Sequence, residues 1–190
     1  MKRISKKVRI WVVLAAVVLA GSTRLSGQNY SISTNVADWL ALGTINVQGS
    51  MPVSRHTSLR AGAAFNPFTF GSGENQKYFR RIELSFGARY WPWFVNSGWY
   101  LYSYANWAKY AWGGIFTHKA YEGYAYGAKI GGGYALMLDK GINLEMGMGG
   151  FIGMTNYTRY SCPHCGHNEG KKEKFVVAPA GLLLGISFVF

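Results

Sequence analysis

Three features of this sequence predict an all-β fold. Apolar side chains recur at every second position through eight separate segments, the period of a strand with two unlike faces. Aromatic residues make up 16% of the chain and it holds 25 glycines, while charged residues reach only 15%; that balance favours strands and tight turns. After the first 27 residues, no apolar run approaches the length of a spanning helix.

The chain opens on a basic segment. Lys2, Arg3, Lys6, Lys7 and Arg9 precede the uncharged run IWVVLAAVVLA at 10–20, and small residues follow up to Gly27. This is the layout of a cleavable secretory signal, and the run is shorter than the ~20 residues a spanning helix needs. Residues 1–27 are read as a signal peptide and 28–190 as one domain. Six of the 20 Lys+Arg and none of the 8 Asp+Glu lie in the leader, which leaves 14 basic against 8 acidic groups, a net +6 rather than +12. With no basic helix or Arg-rich arm, that charge is no nucleic-acid footprint.

The eight strands follow in order. Tyr30, Ile32, Thr34 and Val36 alternate with Ser31, Ser33 and Asn35, and 36–43 has room for a turn of helix. Ile45, Val47, Gly49 and Met51 alternate with Asn46, Gln48 and Ser50, and PVSRHT turns the chain into Leu59, Ala61, Ala63 and Phe65. A loop over 66–78 leads to the clearest case, where Ile82, Leu84, Phe86, Ala88 and Tyr90 oppose Arg81, Glu83, Ser85, Gly87 and Arg89. WPWFVNSG is a turn, and 99–110 is a strand with aromatics on both faces and no readable orientation. A loop at 111–122 precedes Tyr126, Ala128, Ile130, Gly132, Tyr134 and Leu136, and LDKG turns into Ile142, Leu144, Met146, Met148 and Ile152. A long polar loop is expected over 156–174, and the chain ends on Leu182, Leu184, Ile186, Phe188 and Phe190.

A soluble sandwich turns its apolar rows inward and presents charge outside. Here the other rows are Gly, Ser and Asn with isolated Arg, Lys and Glu, which suits the narrow lumen of a membrane barrel whose apolar rows meet lipid. Loop lengths alternate short and long, as in outer-membrane barrels. Trp39, Trp91, Trp93, Trp99, Trp107 and Trp112 fall near the expected strand ends, where indoles prefer the membrane interface. The predicted fold is therefore an eight-stranded antiparallel outer-membrane β-barrel behind a cleavable signal peptide.

The segments SISTNVADWLALGTINVQGSMPV, FNPFTF, RYW, YEGYAYGAKIGGGYAL, YSCPHCG and the C-terminal tail, taken in that order, resemble the small outer-membrane barrels of Bacteroidota labelled domain of unknown function 3575. The resemblance spans residues 29–190. It implies an outer-membrane location, fimbrial or surface-adhesin proteins as partners, and no activity; there are no catalytic residues to carry over. Phe188 and Phe190 on the last strand resemble the C-terminal signal read by the barrel assembly machinery.

Within an eight-stranded barrel the interior is just wide enough for side chains to fill. The non-apolar rows place Arg60, Arg81, Glu83, Arg89, Lys129 and Glu145 there, with the arginines expected to engage Glu83 and Glu145, because unpaired buried charge is costly. CPHCGH brings Cys162, His164, Cys165 and His167 together in one exported loop; a disulfide, a zinc site and free thiols or another role are its readings, and no cofactor is otherwise expected. Enzyme chemistry has thin support: His118 with Glu122 is the only outer-loop acid–base pairing in view. A structural or surface-interaction role is the leading expectation, with outer-membrane lipids as surroundings. A narrow pore for small solutes, a lipid-modifying enzyme and a soluble exported barrel with an apolar ligand are the alternatives.

Overall fold

The computed structural model describes residues 30–40, 43–70, 77–115, 119–161 and 168–190. The expected signal peptide, His118 and the motif at 162–167 lie outside the described residues. In chain order the elements are β1 (Ser31–Asn35), α1 (Val36–Leu40), β2 (Ile45–Pro52), β3 (Thr57–Asn66), β4 (Thr69–Phe70), β5 (Lys77–Tyr90), β6 (Gly98–Gly113), β7 (Ala120–Asp139), β8 (Ile142–Tyr160) and β9 (Asn168–Val189). None of the described helices is long and apolar enough to cross a membrane.

The strands form one antiparallel sheet that closes into a ring. Each long strand pairs with its sequence neighbour, β3 pairs with β5, and β9 returns to β1 through Ser31↔Val189 to Asn35↔Gly185. Eight strands make the ring, and the two-residue β4 is a ninth that pairs with the start of β5. The strand at 69–70 corrects the expectation of an unbroken loop over 66–78.

Two ends of the ring differ. The turns at 53–56, 91–97 and 140–141 lie at one end with both Tyr30 and Phe190, whose backbones bond through Phe190 N–H to Tyr30 C=O at 2.9 Å. In the turn before β6, Asn96 and Gly98 take φ values of 66° and 74°, and a Cβ at 98 would press to 3.1 Å from the Trp93 ring. The other end carries the longer connections and α1, whose start is capped by Asn35 Oδ1 accepting from Ala37 N–H at 3.2 Å. The wall there is uneven: β6 to β9 run 16, 20, 19 and 22 residues, whereas β1 has 5. The expected loops at 111–122 and 156–174 are accordingly shorter than the sequence reading. β6 continues to Gly113, β7 begins at Ala120, and Lys171 to Lys174 pair with Thr158 to Thr155. Polar side chains there hide a backbone that is still laddered.

Alternation sorts the two faces. Phe86 and Phe188 are 59% and 50% exposed on the outside, while Arg89 and Glu145 are each 2% exposed inside. The last strand would break this rule without a bulge. Phe175 and Val177 face outward at odd positions, Leu182 and Leu184 at even ones. Gly149↔Gly181 and Gly150↔Pro179 leave Ala180 as the extra residue that shifts the phase, and Gly181 accepts the φ of 99° this requires.

β6, which the sequence could not orient, turns Tyr100, Tyr102 and Tyr104 inward as consecutive rings on one face; Tyr102 and Tyr104 stack with centroids 4.7 Å apart. Room for them comes from β7 and β8. A Cβ at Gly133 would fall 2.5 Å from the Tyr100 hydroxyl, and Gly131 and Gly149 face the Tyr102 hydroxyl at similarly forbidden range. The glycine runs of β7 and β8 are thus the steric complement of the tyrosines of β6. Gly149→Val should cost about 1–3 kcal/mol by overpacking. Gly49→Ala, on the outer face with nothing within 4 Å of its Cβ position, should stay within about 0.5 kcal/mol. Denaturant midpoints of the two variants check the contrast, and equal losses would contradict the packing account.

Candidate functional site

The six charged residues expected inside gather into two clusters. At the short-turn end, Glu145 Oε2 receives Arg89 Nη1 at 2.9 Å and Arg60 Nη1 at 3.5 Å. Both guanidiniums are buried, so each needs further partners. Arg89 Nε donates to the Tyr104 hydroxyl at 2.5 Å, and its plane lies over the Tyr100 ring at 4.3 Å. Arg60 Nη2 donates to Ser33 Oγ at 3.2 Å. β5, β3 and β8 each supply one charged member, β6 supplies Tyr100 and Tyr104, β1 supplies Ser33, and alternation aims all of them at the axis. Trp91 closes this end: its ring packs on Tyr100 with centroids 4.8 Å apart, and its Nε1 donates to Ser58 Oγ at 3.0 Å. With Trp91, Arg89 and Tyr100 all essentially inaccessible, the interior here is solid.

The second cluster lies nearer the long connections. Glu83 pairs with Lys129 through Oε1 and with Arg81 Nε through Oε2 at 3.4 Å, and Arg81 Nη2 reaches Asp38 of α1 at 3.9 Å. These side chains are only partly buried, and with Tyr104 they line a polar cavity of about 80 Å³ that extends up to α1. The interior is therefore filled at one end and hollow and charged at the other.

The remaining expected residues are spread over the outside. Trp93 and Trp99 are exposed at the short-turn end with Phe94, and Trp39 is exposed on α1. Trp107 is also exposed, but because β6 continues to Gly113 it falls within the strand rather than near its end. Trp112 is half-buried and stacks on Tyr121 at 4.5 Å. Trp91 is a correction: it was expected on the rim with its neighbours, and it is instead wholly buried. Trp91 directly follows Tyr90 and extends the inward row of Arg89, whereas Trp93 lies further into the turn, outside the strand's alternation. Phe188 and Phe190 are exposed on the outer face of the closing strand. Among the described residues, no group of three or more His, Cys, Asp or Glu is placed to hold a metal, and Cys162, His164, Cys165 and His167 lie outside them. Glu122 is exposed on the outer face of β7. The tyrosine ladder was missed, because aromatics on both faces of 99–110 mask its period.

A family model described as "Protein of unknown function (DUF3575)" matches residues 13–190. The chain belongs to DUF3575. No curated protein matches it. For this DUF3575 chain the interior thus carries a two-part charge system organised on Glu145 and Glu83.

Glu145 serves two buried arginines, so Glu145→Ala should cost about 3–5 kcal/mol by stranding both. Arg60→Met should cost less, since Glu145 keeps its closer bond to Arg89. Unfolding titrations would check the order; equal losses would mean that the cluster is not organised on the carboxylate.

Proposed function

We propose that this chain is an integral outer-membrane β-barrel, delivered by a cleaved signal peptide, with a structural or surface-interaction role carried by its long-connection end. One observation carries the reading: from the rung of Leu84, Trp107 and Tyr126 down to the short-turn end, the outward rows bear no charge while the charges sit inside. On β5 the outward row from Ile82 to Tyr90 is Ile82, Leu84, Phe86, Ala88 and Tyr90, and on β7 it runs from Tyr124 to Leu138 without a charged residue. The β5 span matches the ~9–11 residues of a strand crossing hydrocarbon. A soluble protein rarely leaves a continuous apolar belt open to water, and a closed ladder is the one arrangement of strands that satisfies every backbone group in lipid. Exposed Trp93, Phe94 and Trp99 below the belt and Trp39 above it suit the two interfaces.

In this reading outer-membrane lipids surround the ring, the assembly machinery reads the terminal strand ending in Phe188 and Phe190, and fimbrial or adhesin proteins are candidate partners at the loop end. The filled short-turn end favours a closed barrel over a pore. The proposal includes no enzyme activity and no cofactor.

Expressed with its leader in a Gram-negative host, the protein should fractionate with the outer membrane and shift its gel mobility on boiling. In planar bilayers the folded protein should give no steady conductance. Recovery in the soluble fraction without detergent would overturn the membrane reading, and stable channels would overturn the closed interior.

A further inference from the structure

The outer surface at the top of the belt holds a feature that the interior does not explain. Successive rungs of the ladder can be followed around the outside. Phe65, Ile82, Lys109 and Tyr124 lie side by side on one rung, and Arg80, Ala111 and Glu122 on the next one up. The rungs below are Ala63, Leu84, Trp107 and Tyr126, then Ala61, Phe86, Ala105 and Ala128, with no charge. Arg80 and Lys109 are therefore the first charges met on leaving the belt, and diagonal neighbours on one face of an antiparallel pair lie within reach of a shared group.

Both are exposed, and among the described residues neither has a carboxylate within ion-pair distance. Each rests instead on a ring, Arg80 at 5.3 Å over Tyr78 and Lys109 at 5.6 Å over Tyr124. They share a groove of about 580 Å³ whose walls include Phe65, Pro67 and Ile82, with Glu122 as its one carboxylate. Arg81 also contributes to the lining but is paired with Glu83, so Arg80 and Lys109 against Glu122 leave the groove positive. Phe65 and Ile82 of its lining stand directly above the uncharged rung of Ala63, Leu84, Trp107 and Tyr126.

We infer that this groove is a binding site for an anionic lipid, its phosphate held between Arg80 and Lys109 and its first acyl segment lying along Phe65, Ile82 and Leu84. The inference rests on the membrane reading above, since that setting puts lipid against this face. A guanidinium gives a planar fork for two phosphate oxygens and an ammonium gives a third contact; both stand at the height where head groups meet hydrocarbon.

The test uses the full-length mature protein in nanodiscs of phosphatidylcholine with a minority of phosphatidylglycerol, and native mass spectrometry of the lipids it retains on release. The wild type should retain phosphatidylglycerol in preference to phosphatidylcholine. R80Q/K109Q should lose that preference on the order of tenfold, the scale of two surface cations acting on anionic lipid. E122Q should keep or raise it, and K171Q/K172Q, which removes charge from β9 outside the groove, should leave it unchanged. An unchanged preference in R80Q/K109Q, or the same loss in K171Q/K172Q, overturns the site. Wild-type protein that fails to enter nanodiscs overturns the membrane reading itself; protein that inserts without a lipid preference overturns this inference alone.

Discussion

Closure of the ladder between β1 and β9 is the constraint on which everything else in this molecule depends. A sheet with free edges must spend surface on protecting them. Here the short β1 pairs with Gly185 to Val189 at the end of the longest strand, and the ring has no edge along that span. Backbone groups are satisfied by neighbours, so the outer surface is released from carrying polar side chains. Closure also sets the width inside. Eight strands leave space for side chains and little more, so large inward residues must be matched by small ones on neighbouring strands. That requirement sets Tyr100 and Tyr102 beside Gly131, Gly133 and Gly149.

The same narrowness explains why the interior charges are not scattered. Removing a guanidinium from water is costly, and its partner must repay the cost with good geometry. Glu145 of β8 does so by meeting two arginines from the paired strands β3 and β5, and aromatic faces of Tyr100 and Tyr104 complete the surroundings. Glu83 works nearer the open end, where Lys129 and Arg81 remain partly accessible. A carboxylate that bridges strands distant in sequence also fixes register, because a one-residue slip would turn it to the outer face.

Much of this architecture was legible from periodicity alone. β5 shows why: its rows differ so strongly that Arg81, Glu83 and Arg89 had one face available. Legibility failed where the physical signal was degenerate. In β6 both rows are aromatic, so period two carries no contrast between Trp99, Leu101 and Trp107 outside and Tyr100, Tyr102 and Tyr104 inside. Lys171 to Lys174 read as a loop because both faces are polar where the wall rises past the apolar belt, though the backbone pairing continues. Trp91 and Trp93 share parity and proximity, and what separates them is that Trp91 directly follows β5 whereas Trp93 sits in the turn. The bulge at Ala180 lies between two apolar rows of opposite phase, and only the pairing shows that they belong to one strand.

The belt and the interior make different demands on folding. If the outer rows face lipid, their burial supplies no large hydrophobic driving force between strands, since hydrocarbon is as apolar as Leu84 or Phe86. The stability that distinguishes this fold from other compact arrangements must then come from the closed ladder and from the interior. Tyr104 illustrates the point, since one side chain stacks on Tyr102, bonds Arg89 and lies under Arg60. A side chain that ties three strands together holds the ring in a way that no outward residue does. Specificity in this molecule is therefore concentrated on the axis, and the outer rows are free to vary so long as they stay apolar.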